Sequence, residues 1–281
     1  MAARNPNGYA IFMLDFQIID ETDNYVVVDK PPFLLIHPTK PDGAPTLWKE
    51  LRDLFAFEIA SGGQVSIVNR LDRETSGLVL VAKTAAAARW FGRLMQRHQL
   101  RKEYLAIVWG WPEWETKIVD APLDRQGKHQ QSAIWLKQMI HPAGASAQTE
   151  FHVKRRFIRG APRGRALPID KFSLIRAIPR TGRTHQIRVH VSSIGHPIVG
   201  DKIYGSEEQL YLRFIGTGWT PELEQRLLLR VMRFTRQNSR SKASGSGRVR
   251  CLSILQNSSG RNSALRCPDA AAWRPCQLQS D

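Results

Sequence analysis

The stretch Asn69-Arg70-Leu71-Asp72-Arg73-Glu74-Thr75-Ser76-Gly77 places one carboxylate between two arginines, directly before the apolar run LVLVA at residues 78–82. A short, continuous apolar run of this kind predicts a buried strand. Neighbouring guanidinium groups favour the ionised form of Asp72. An ionised carboxylate in a loop before a strand suits nucleophilic catalysis, and it suits a surface salt bridge equally well. Residue spacing alone favours the salt bridge, with the Thr-Ser-Gly segment forming a turn.

A second cluster of polar and basic residues reads TGRTHQIRVH from residue 181 and GHPIVGDKIYG from residue 195. Four of its side chains carry donors suited to phosphates and base edges; they are Arg183, His185, Gln186 and Arg188. A metal site at His185 and His190 would need a carboxylate or cysteine partner at ligand spacing, which the cluster lacks. The pattern therefore favours a basic, half-buried segment over a metal centre.

The overall composition favours an anionic partner. The chain has 281 residues and a formal charge of +16, from 41 Lys and Arg against 25 Asp and Glu. No basic amphipathic helix stands out, so nucleic acid is a better candidate than a membrane surface. The sequence has no run of eighteen apolar residues, no signal-peptide pattern and no CxxC pair among its three cysteines. We therefore expect a cytoplasmic protein, monomeric by default, with no membrane span, zinc site or disulfide scaffold.

The last 52 residues differ in composition from the rest of the chain. Segment 230–281 carries ten Lys and Arg against two acidic residues, which is half of the positive excess, and it holds all three cysteines. No helical or strand periodicity persists in it, which predicts disorder. It is either a basic RNA-binding arm or a translated frameshift, and we favour the second interpretation. Residues 1–14 are predicted to form a flexible N-terminus.

The intervening residues 15–229 alternate short β-rich runs with a few helices. Strands are predicted at 25–28, 78–82 and 104–109. Helices are predicted at 46–60, with Thr46 as N-cap, and at 85–99, with Thr84 as N-cap. Segments 172–178 and 187–191 fit either type, and residues 160–164 read as a loop. Because strands outnumber helices, we expect an α+β domain.

Four segments, taken in order, resemble the RluA-type family of pseudouridine synthases. Residues 29–38 (DKPPFLLIHP) look like the family's DKPxGxxxHP segment, and residues 70–78 (RLDRETSGL) look like its RLDRxTSG signature. Residues 101–106 (RKEYLA) resemble its KxYxA segment. The GRTHQIRVH and GHPIVGDKIYG segments resemble its third signature. The similarity extends over residues 15–229.

The resemblance implies a pseudouridine synthase catalytic fold, with a mixed, mainly antiparallel sheet, a central basic cleft and flanking helices. It implies an isomerase that converts uridines of structured ribosomal or transfer RNA into pseudouridine without a cofactor or metal. Asp72 would be the catalytic aspartate, Tyr104 would stack on the uracil, and Arg188 would pair with Asp72. Arg70 would contact the RNA where the target nucleotide leaves the stack. The candidate RNA-binding residues are Arg70, Arg73, Arg183, His185, Gln186 and Lys30.

The chemistry explains why an aspartate and an aromatic ring would be needed. Pseudouridine formation breaks the bond from ribose C1′ to uracil N1 and remakes it to C5, so the base must leave the stack. Asp72 would either attack C1′ or remove a ribose proton so that a glycal forms, and both routes stay open. A carboxylate-nucleophile glycosidase is a weaker alternative, because Glu74 is too close in sequence to Asp72 to flank a sugar.

Three departures from the family pattern matter for function. Asn69 stands where the family often has histidine, and no extra RNA-binding module precedes residue 15, so we expect the catalytic domain to select the substrate. After residue 229 the family's usual Pro-Arg-x-x-Leu-His-Ala strand is missing. Without that strand the sheet would have an unpaired edge. The alternative function is therefore an RNA-binding homologue that is inactive or misfolded.

Overall fold

A computed structural model describes residues 16–38, 45–159, 170–205 and 207–228, together with two short strands at 234–237 and 273–275. The chain divides into two compact units, Met1–Leu100 and Arg101–Asp281. The expectations for residues 1–14, for the loop at 160–164 and for most of segment 230–281 fall outside the described residues. The extent of a catalytic domain over 15–229 stays a prediction.

The first unit contains an antiparallel sheet in the order β1-β2-β4, and β3 also pairs with β4. Its strands are β1 (Gln17–Glu21), β2 (Tyr25–Lys30), β3 (Ser66–Ile67) and β4 (Ser76–Ala82). Its helices are α1 (Leu47–Leu54), α2 (Ala56–Ala60) and α3 (Ala85–Gln96). The valines of β2 and β4 are fully or almost fully buried, as expected for apolar runs that pack on both faces of a strand.

Both predicted helix caps of the first unit are present. The Thr46 hydroxyl accepts a hydrogen bond from the Lys49 amide at 3.3 Å, and the Thr84 hydroxyl accepts one from the Ala87 amide at 3.2 Å. The single helix expected over 46–60 is interrupted at Phe55, which has φ −100° and ψ 27°. The apolar spacing that buries α1 does not continue in α2, where Phe57 is exposed.

The second unit contains a larger antiparallel sheet in the order β11-β5-β10-β9-β12, with β6 also paired to β9. Its strands are β5 (Glu103–Trp109), β6 (Thr116–Asp120), β9 (Gln148–Arg159), β10 (Asp170–Pro179), β11 (Phe234–Gln237) and β12 (Trp273–Pro275). A separate hairpin pairs β7 (Leu123–Arg125) with β8 (Gln138–Ile140). The helices are α4 (Gln186–Ser193), α5 (Gln209–Thr217) and α6 (Pro221–Leu227).

The two ambiguous segments form different structures. Residues 172–178 lie in β10, whereas 187–191 lie in α4. Every residue from 186 to 191 is buried, and the sequence QIRVHV alternates polar and apolar residues, so it lacks the helical periodicity of an amphipathic helix. The described elements and the antiparallel pairing confirm the α+β class. Within the described ranges, no helix is long and apolar enough to cross a membrane.

The tail contributes a strand where the sequence suggested an unpaired edge. Strand β11 pairs antiparallel with β5, with Phe234 opposite Ala106 and Gln237 opposite Glu103. Backbone pairing needs no particular side-chain signature, so a divergent sequence can fill a sheet edge. The expectation of an unpaired edge is therefore wrong along these four residues of β5.

Candidate active site

The predicted catalytic aspartate lies in the turn that leads into β4. The Asp72 side chain is half-buried, and its backbone carbonyl accepts a hydrogen bond from the Thr75 amide at 3.1 Å. Gly77, the second residue of β4, has φ +122°, a conformation that residues with a Cβ rarely adopt. The turn and this glycine fix the direction in which the chain passes from the RLDR segment into the sheet.

Asn69 anchors the start of the same loop. Its side chain is buried; its amide donates to the Leu78 carbonyl at 3.3 Å, and its carbonyl oxygen accepts from the Leu80 amide at 2.9 Å. The loop before Asp72 is thereby attached to the strand that follows it. Asn69, which stands where the family often has histidine, therefore positions the loop that carries Asp72.

Lys30 lies beneath this loop and is fully buried. Its ammonium group donates to the carbonyl oxygens of Pro31, Leu34 and Arg73 at 2.7, 3.0 and 3.3 Å. Burial lowers the pKa of Lys30 to about 8, and the carboxylates of Asp72 and Asp29 oppose that shift. The sequence proposed Lys30 as an RNA contact; the structure instead places its charge under the loop, within electrostatic reach of Asp72.

Two exposed arginines flank Asp72 in sequence. Arg70 and Arg73 both have exposed side chains, and the Arg73 Nε donates a long hydrogen bond of 3.4 Å to the Phe33 carbonyl. Desolvation and the positive charge of Arg70 lower the pKa of His37. The first unit therefore presents exposed guanidinium groups on the same loop as the half-buried carboxylate.

In the second unit, the KxYxA-like segment forms the start of β5. Tyr104 is buried in the sheet and lies opposite Ala177 of β10. Lys102 is also buried, and its ammonium donates to the Thr181 carbonyl at 3.0 Å. A Cβ at Gly182 would lie 3.1 Å from that ammonium. The contact joins the segment that carries Tyr104 to the beginning of the third signature.

Arg188 is held by a carboxylate that the sequence analysis did not single out. Its Nε and one terminal nitrogen donate to the two carboxylate oxygens of Asp201 at 2.7 and 2.8 Å, and both side chains are buried. Asp201 also accepts from the amides of Ile203 and Tyr204 at 2.9 and 3.1 Å. Complete burial would raise the pKa of Asp201, but the guanidinium and these hydrogen bonds hold it below its ordinary value of 3.8. Asp201 is the single acidic residue among the basic residues of segment 181–205, and this was the sequence signal that could have revealed the pair.

Gln186 and His190 belong to one buried hydrogen-bond chain. The Gln186 amide donates to the Thr149 hydroxyl at 2.9 Å, and that hydroxyl lies 2.9 Å from His190 Nδ1. His190 Nε2 lies 3.0 Å from the Ala121 carbonyl, so Nε2 carries the proton and Nδ1 accepts from Thr149. Burial lowers the pKa of His190, in agreement with a neutral ring.

Gln186 also shapes the loop that precedes α4. Its side-chain oxygen accepts from the Thr181 hydroxyl at 2.7 Å and from the Arg183 amide at 3.0 Å. The sequence proposed Gln186 as an RNA contact, but its side chain is buried and forms these hydrogen bonds within the protein. Gln186 holds the loop that presents its neighbours.

Arg183 and His185 lie nearer the surface. Arg183 is exposed, and its Nε donates to the Ser146 carbonyl at 3.0 Å. His185 precedes α4 with φ +54° and is half-buried. Its Nδ1 lies 2.8 Å from the Tyr204 hydroxyl, which also accepts from the Gln138 amide at 2.8 Å. Tyr204 thus connects the third signature to the hairpin of β7 and β8.

The candidate residues fall in both units. Lys30, Arg70, Asp72 and Arg73 belong to the first unit, whereas Tyr104, Arg183, His185, Gln186 and Arg188 belong to the second. The pairing of Arg188 with Asp72 stays a prediction, as does a basic cleft. Among the described residues, no group of three or more His, Cys, Asp or Glu side chains is placed to hold a metal ion.

The segments that build these two sets of residues match a known family. Residues 24–193 match the family described as RNA pseudouridylate synthase. The chain belongs to this family. The RLDRETSGL signature with Asp72, the Tyr104 strand and the helix of Arg188 all lie inside the matched range, so this pseudouridylate synthase domain contains every predicted catalytic residue.

Relatives of known name agree with the family. The chain is 33% identical over 201 residues to "Ribosomal large subunit pseudouridine synthase D" of Nitrosomonas europaea, covering 72% of this chain and 53% of that protein. It is 32% identical over 191 residues to "Dual-specificity RNA pseudouridine synthase RluA" of Vibrio vulnificus, covering 67% and 68%. The chain therefore spans about half to two thirds of the length of these synthases.

A solved structure shows the same fold. The structure of "Human RNA Pseudouridylate Synthase Domain Containing 1" superposes with a TM-score of 0.63 at 24% identity, covering 95% of this chain and 91% of that one. The likeness confirms the pseudouridine synthase fold that the signatures implied.

Proposed function

We propose that this protein converts specific uridines of structured ribosomal or transfer RNA into pseudouridine, with Asp72 as the catalytic carboxylate. The observation that carries the proposal is the position of Asp72. It lies inside the family signature, half-buried in the turn before β4, on a loop that buried Asn69 and Lys30 hold in place. A cytoplasmic, monomeric protein is part of the same proposal.

Lys30 brings a positive charge to the Asp72 loop. The buried Lys30 ammonium donates to the Arg73 carbonyl at 3.3 Å and interacts electrostatically with Asp72. Lys30 acts in this proposal by positioning the loop and by its charge. An ionised carboxylate is required both for attack on C1′ and for removal of a ribose proton.

In the second unit, Tyr104 would supply the ring face for the flipped uracil, and Arg188 would orient the Asp72 carboxylate. Asp201 supports the role of Arg188, because a bidentate partner fixes the plane of the guanidinium. Base–aromatic stacking contributes about 1–3 kcal/mol per base, which helps to offset the cost of extruding the nucleotide.

Three exposed arginines and the half-buried His185 would contact the RNA backbone around the target. Arg70 and Arg73 lie on the Asp72 loop, and Arg183 and His185 lie on the loop before α4. Gln186 contributes by holding the second loop in place. Phosphate contacts of this kind make the affinity depend steeply on salt.

The reaction itself requires no electron, hydride or phosphoryl transfer. The C1′–N1 bond breaks, the uracil turns within the pocket and a C1′–C5 bond forms; C5 then loses its proton to a base, and N1 gains a proton. Uridine and pseudouridine are isomers, so the substrate and product have equal mass.

Mapping of pseudouridines in total RNA identifies the substrate. Cells that lack the gene should lose pseudouridine at one or a few positions, and a copy of the wild-type gene should restore it. A copy with Asp72→Asn should not restore it, whereas the exposed control Asp53→Asn should. Unchanged maps in the deletion strain would contradict the proposal.

A further inference from the structure

Phe33 has a backbone conformation that a bulky residue rarely adopts. Its φ is +71°, in the left-handed region that favours glycine. The DKPxGxxxHP pattern quoted above has glycine at this place, where this sequence has phenylalanine. Such strain persists only where the surrounding structure fixes it, and it concentrates at functional sites.

The Phe33 ring does not pack into the core. Its residue is 45% exposed, whereas Leu34 and Ile36, which follow it, are buried. The apolar packing of this segment is therefore provided by its neighbours. Single exposed apolar residues are common, so it is the positive φ of Phe33, together with its exposure, that distinguishes this position.

Phe33 is attached directly to the loop of the catalytic aspartate. Its amide donates to the Arg73 carbonyl at 2.7 Å, and its carbonyl accepts from the Arg73 Nε at 3.4 Å. The Lys30 ammonium donates to the carbonyls of both Leu34 and Arg73, which joins the two segments a second time. The backbone of Phe33 is consequently fixed relative to the turn that holds Asp72.

Exposed cations on the loop bonded to Phe33 suit a nucleotide. Arg73, which bonds to Phe33, and Arg70, on the same loop, both have exposed side chains. An aromatic face beside cationic groups is the combination that binds unpaired bases, because the ring stacks on the base while the cations contact its phosphates.

We propose that Phe33 is a stacking face for an unpaired base of the RNA, beside the uridine that is modified. This inference rests on the proposed function and adds a specificity-determining residue to it. Stacking accepts any base, so the contact selects a target uridine with an unpaired neighbour rather than a given sequence. The ring acts on binding and not on the bond changes at C1′.

Three variants of the full-length protein test the proposal. Phe33→Gly removes both the ring and the strain, Phe33→Leu removes the ring but keeps a Cβ at positive φ, and Phe33→Trp keeps an aromatic face. Each is assayed with a transcript of large-subunit ribosomal RNA and with transfer RNA, by kcat and KM for pseudouridine formation, and by thermal unfolding. The control is Phe57→Leu, because Phe57 is 82% exposed on α2.

The expected results separate binding from folding. Phe33→Gly should raise KM about 5- to 100-fold, leave kcat within about twofold, and raise the melting temperature. Phe33→Leu should raise KM similarly without that gain in stability. Phe33→Trp and Phe57→Leu should keep the wild-type KM. A residue that only supports the fold is not expected to give a glycine variant that is more stable and yet binds the RNA more weakly.

Three outcomes would overturn the inference. A wild-type KM in both Phe33→Gly and Phe33→Leu would exclude stacking while leaving the proposed function intact. A melting temperature that falls in Phe33→Gly would identify the ring as a packing element. A wild-type protein that modifies neither RNA would contradict the proposed function, and this inference with it.

Discussion

The buried pair of Arg188 and Asp201 gives the prediction with the largest expected effect on stability. In Asp201→Ala the Arg188 guanidinium, which is 6% exposed, loses both of its carboxylate bonds. The amides of Ile203 and Tyr204 lose their acceptor at the same time.

Breaking a buried ion pair by removing one partner costs about 3–5 kcal/mol, because the other charge stays buried. Two unsatisfied buried amides cost about 1–3 kcal/mol each where water cannot reach them. We therefore expect Asp201→Ala to lower the free energy of unfolding by at least about 3 kcal/mol, a large part of a typical 5–15 kcal/mol.

The assay is urea unfolding of the full-length protein, with Asp53→Ala as an exposed control that should change stability by less than about 0.5 kcal/mol. A double-mutant cycle with Arg188→Met should show a coupling energy above about 1 kcal/mol, because the double variant no longer buries an uncompensated charge. The contribution should be present above pH 3.8 and should be lost as the pH falls below it, since the folded pKa of Asp201 is lowered. An Asp201→Ala protein within about 1 kcal/mol of wild type would refute this explanation of how Arg188 is held.

Four further variants probe the groups that position the site. The stability of the wild-type protein should rise by about 3 kcal/mol between pH 8 and 10.5, because over that range the unfolded chain keeps a proton that folded Lys30 releases. Lys30→Met should remove this rise. Urea unfolding at several pH values measures the slope, and a wild-type slope in the variant contradicts the prediction. The wild-type protein should lose stability below pH 6.5, because the pKa of His190 is lowered in the folded state and the unfolded chain binds the proton first. His190→Gln should reduce this loss, and a wild-type pH dependence in the variant would argue against His190 as its cause. Gln186→Ala should cost about 2–4 kcal/mol in the same assay, since several buried partners lose their bonds at once, and a cost below about 1 kcal/mol would show that they find others. Thr75→Val should be neutral or stabilising by about 1 kcal/mol, because none of the described residues bonds to the buried Thr75 hydroxyl; marked destabilisation would reveal a partner.

Local sequence patterns predicted the elements whose signals are local. The valine run of β2, the apolar run of β4 and the hydroxyls of Thr46 and Thr84 are each readable within a few residues, and all appear in the structure. Helix α4 escaped assignment because six of its eight residues are buried and their polar and apolar side chains alternate. The pairing of β11 with β5 escaped because sheet edges are chosen by long-range geometry rather than by a local pattern.

The candidate site divides in the same way. The signatures singled out Asp72, Tyr104 and Arg188 by residue type and order. They did not reveal that Lys30 and Gln186 are buried, because a sequence does not show which face of a basic segment points inward. The partner of Arg188 was also missed, since Asp201 lies thirteen residues further along and meets it only through the turn after α4.

The role of Asp72 is tested most directly by incubating the purified protein with its RNA under single-turnover conditions and measuring pseudouridine at the target position. The wild-type protein and Asp53→Asn should convert the uridine, whereas Asp72→Asn should convert none while binding the RNA with an affinity within a few-fold of wild type. Pseudouridine formation by Asp72→Asn at a rate near that of the wild type would contradict the assignment of this carboxylate as the catalytic group.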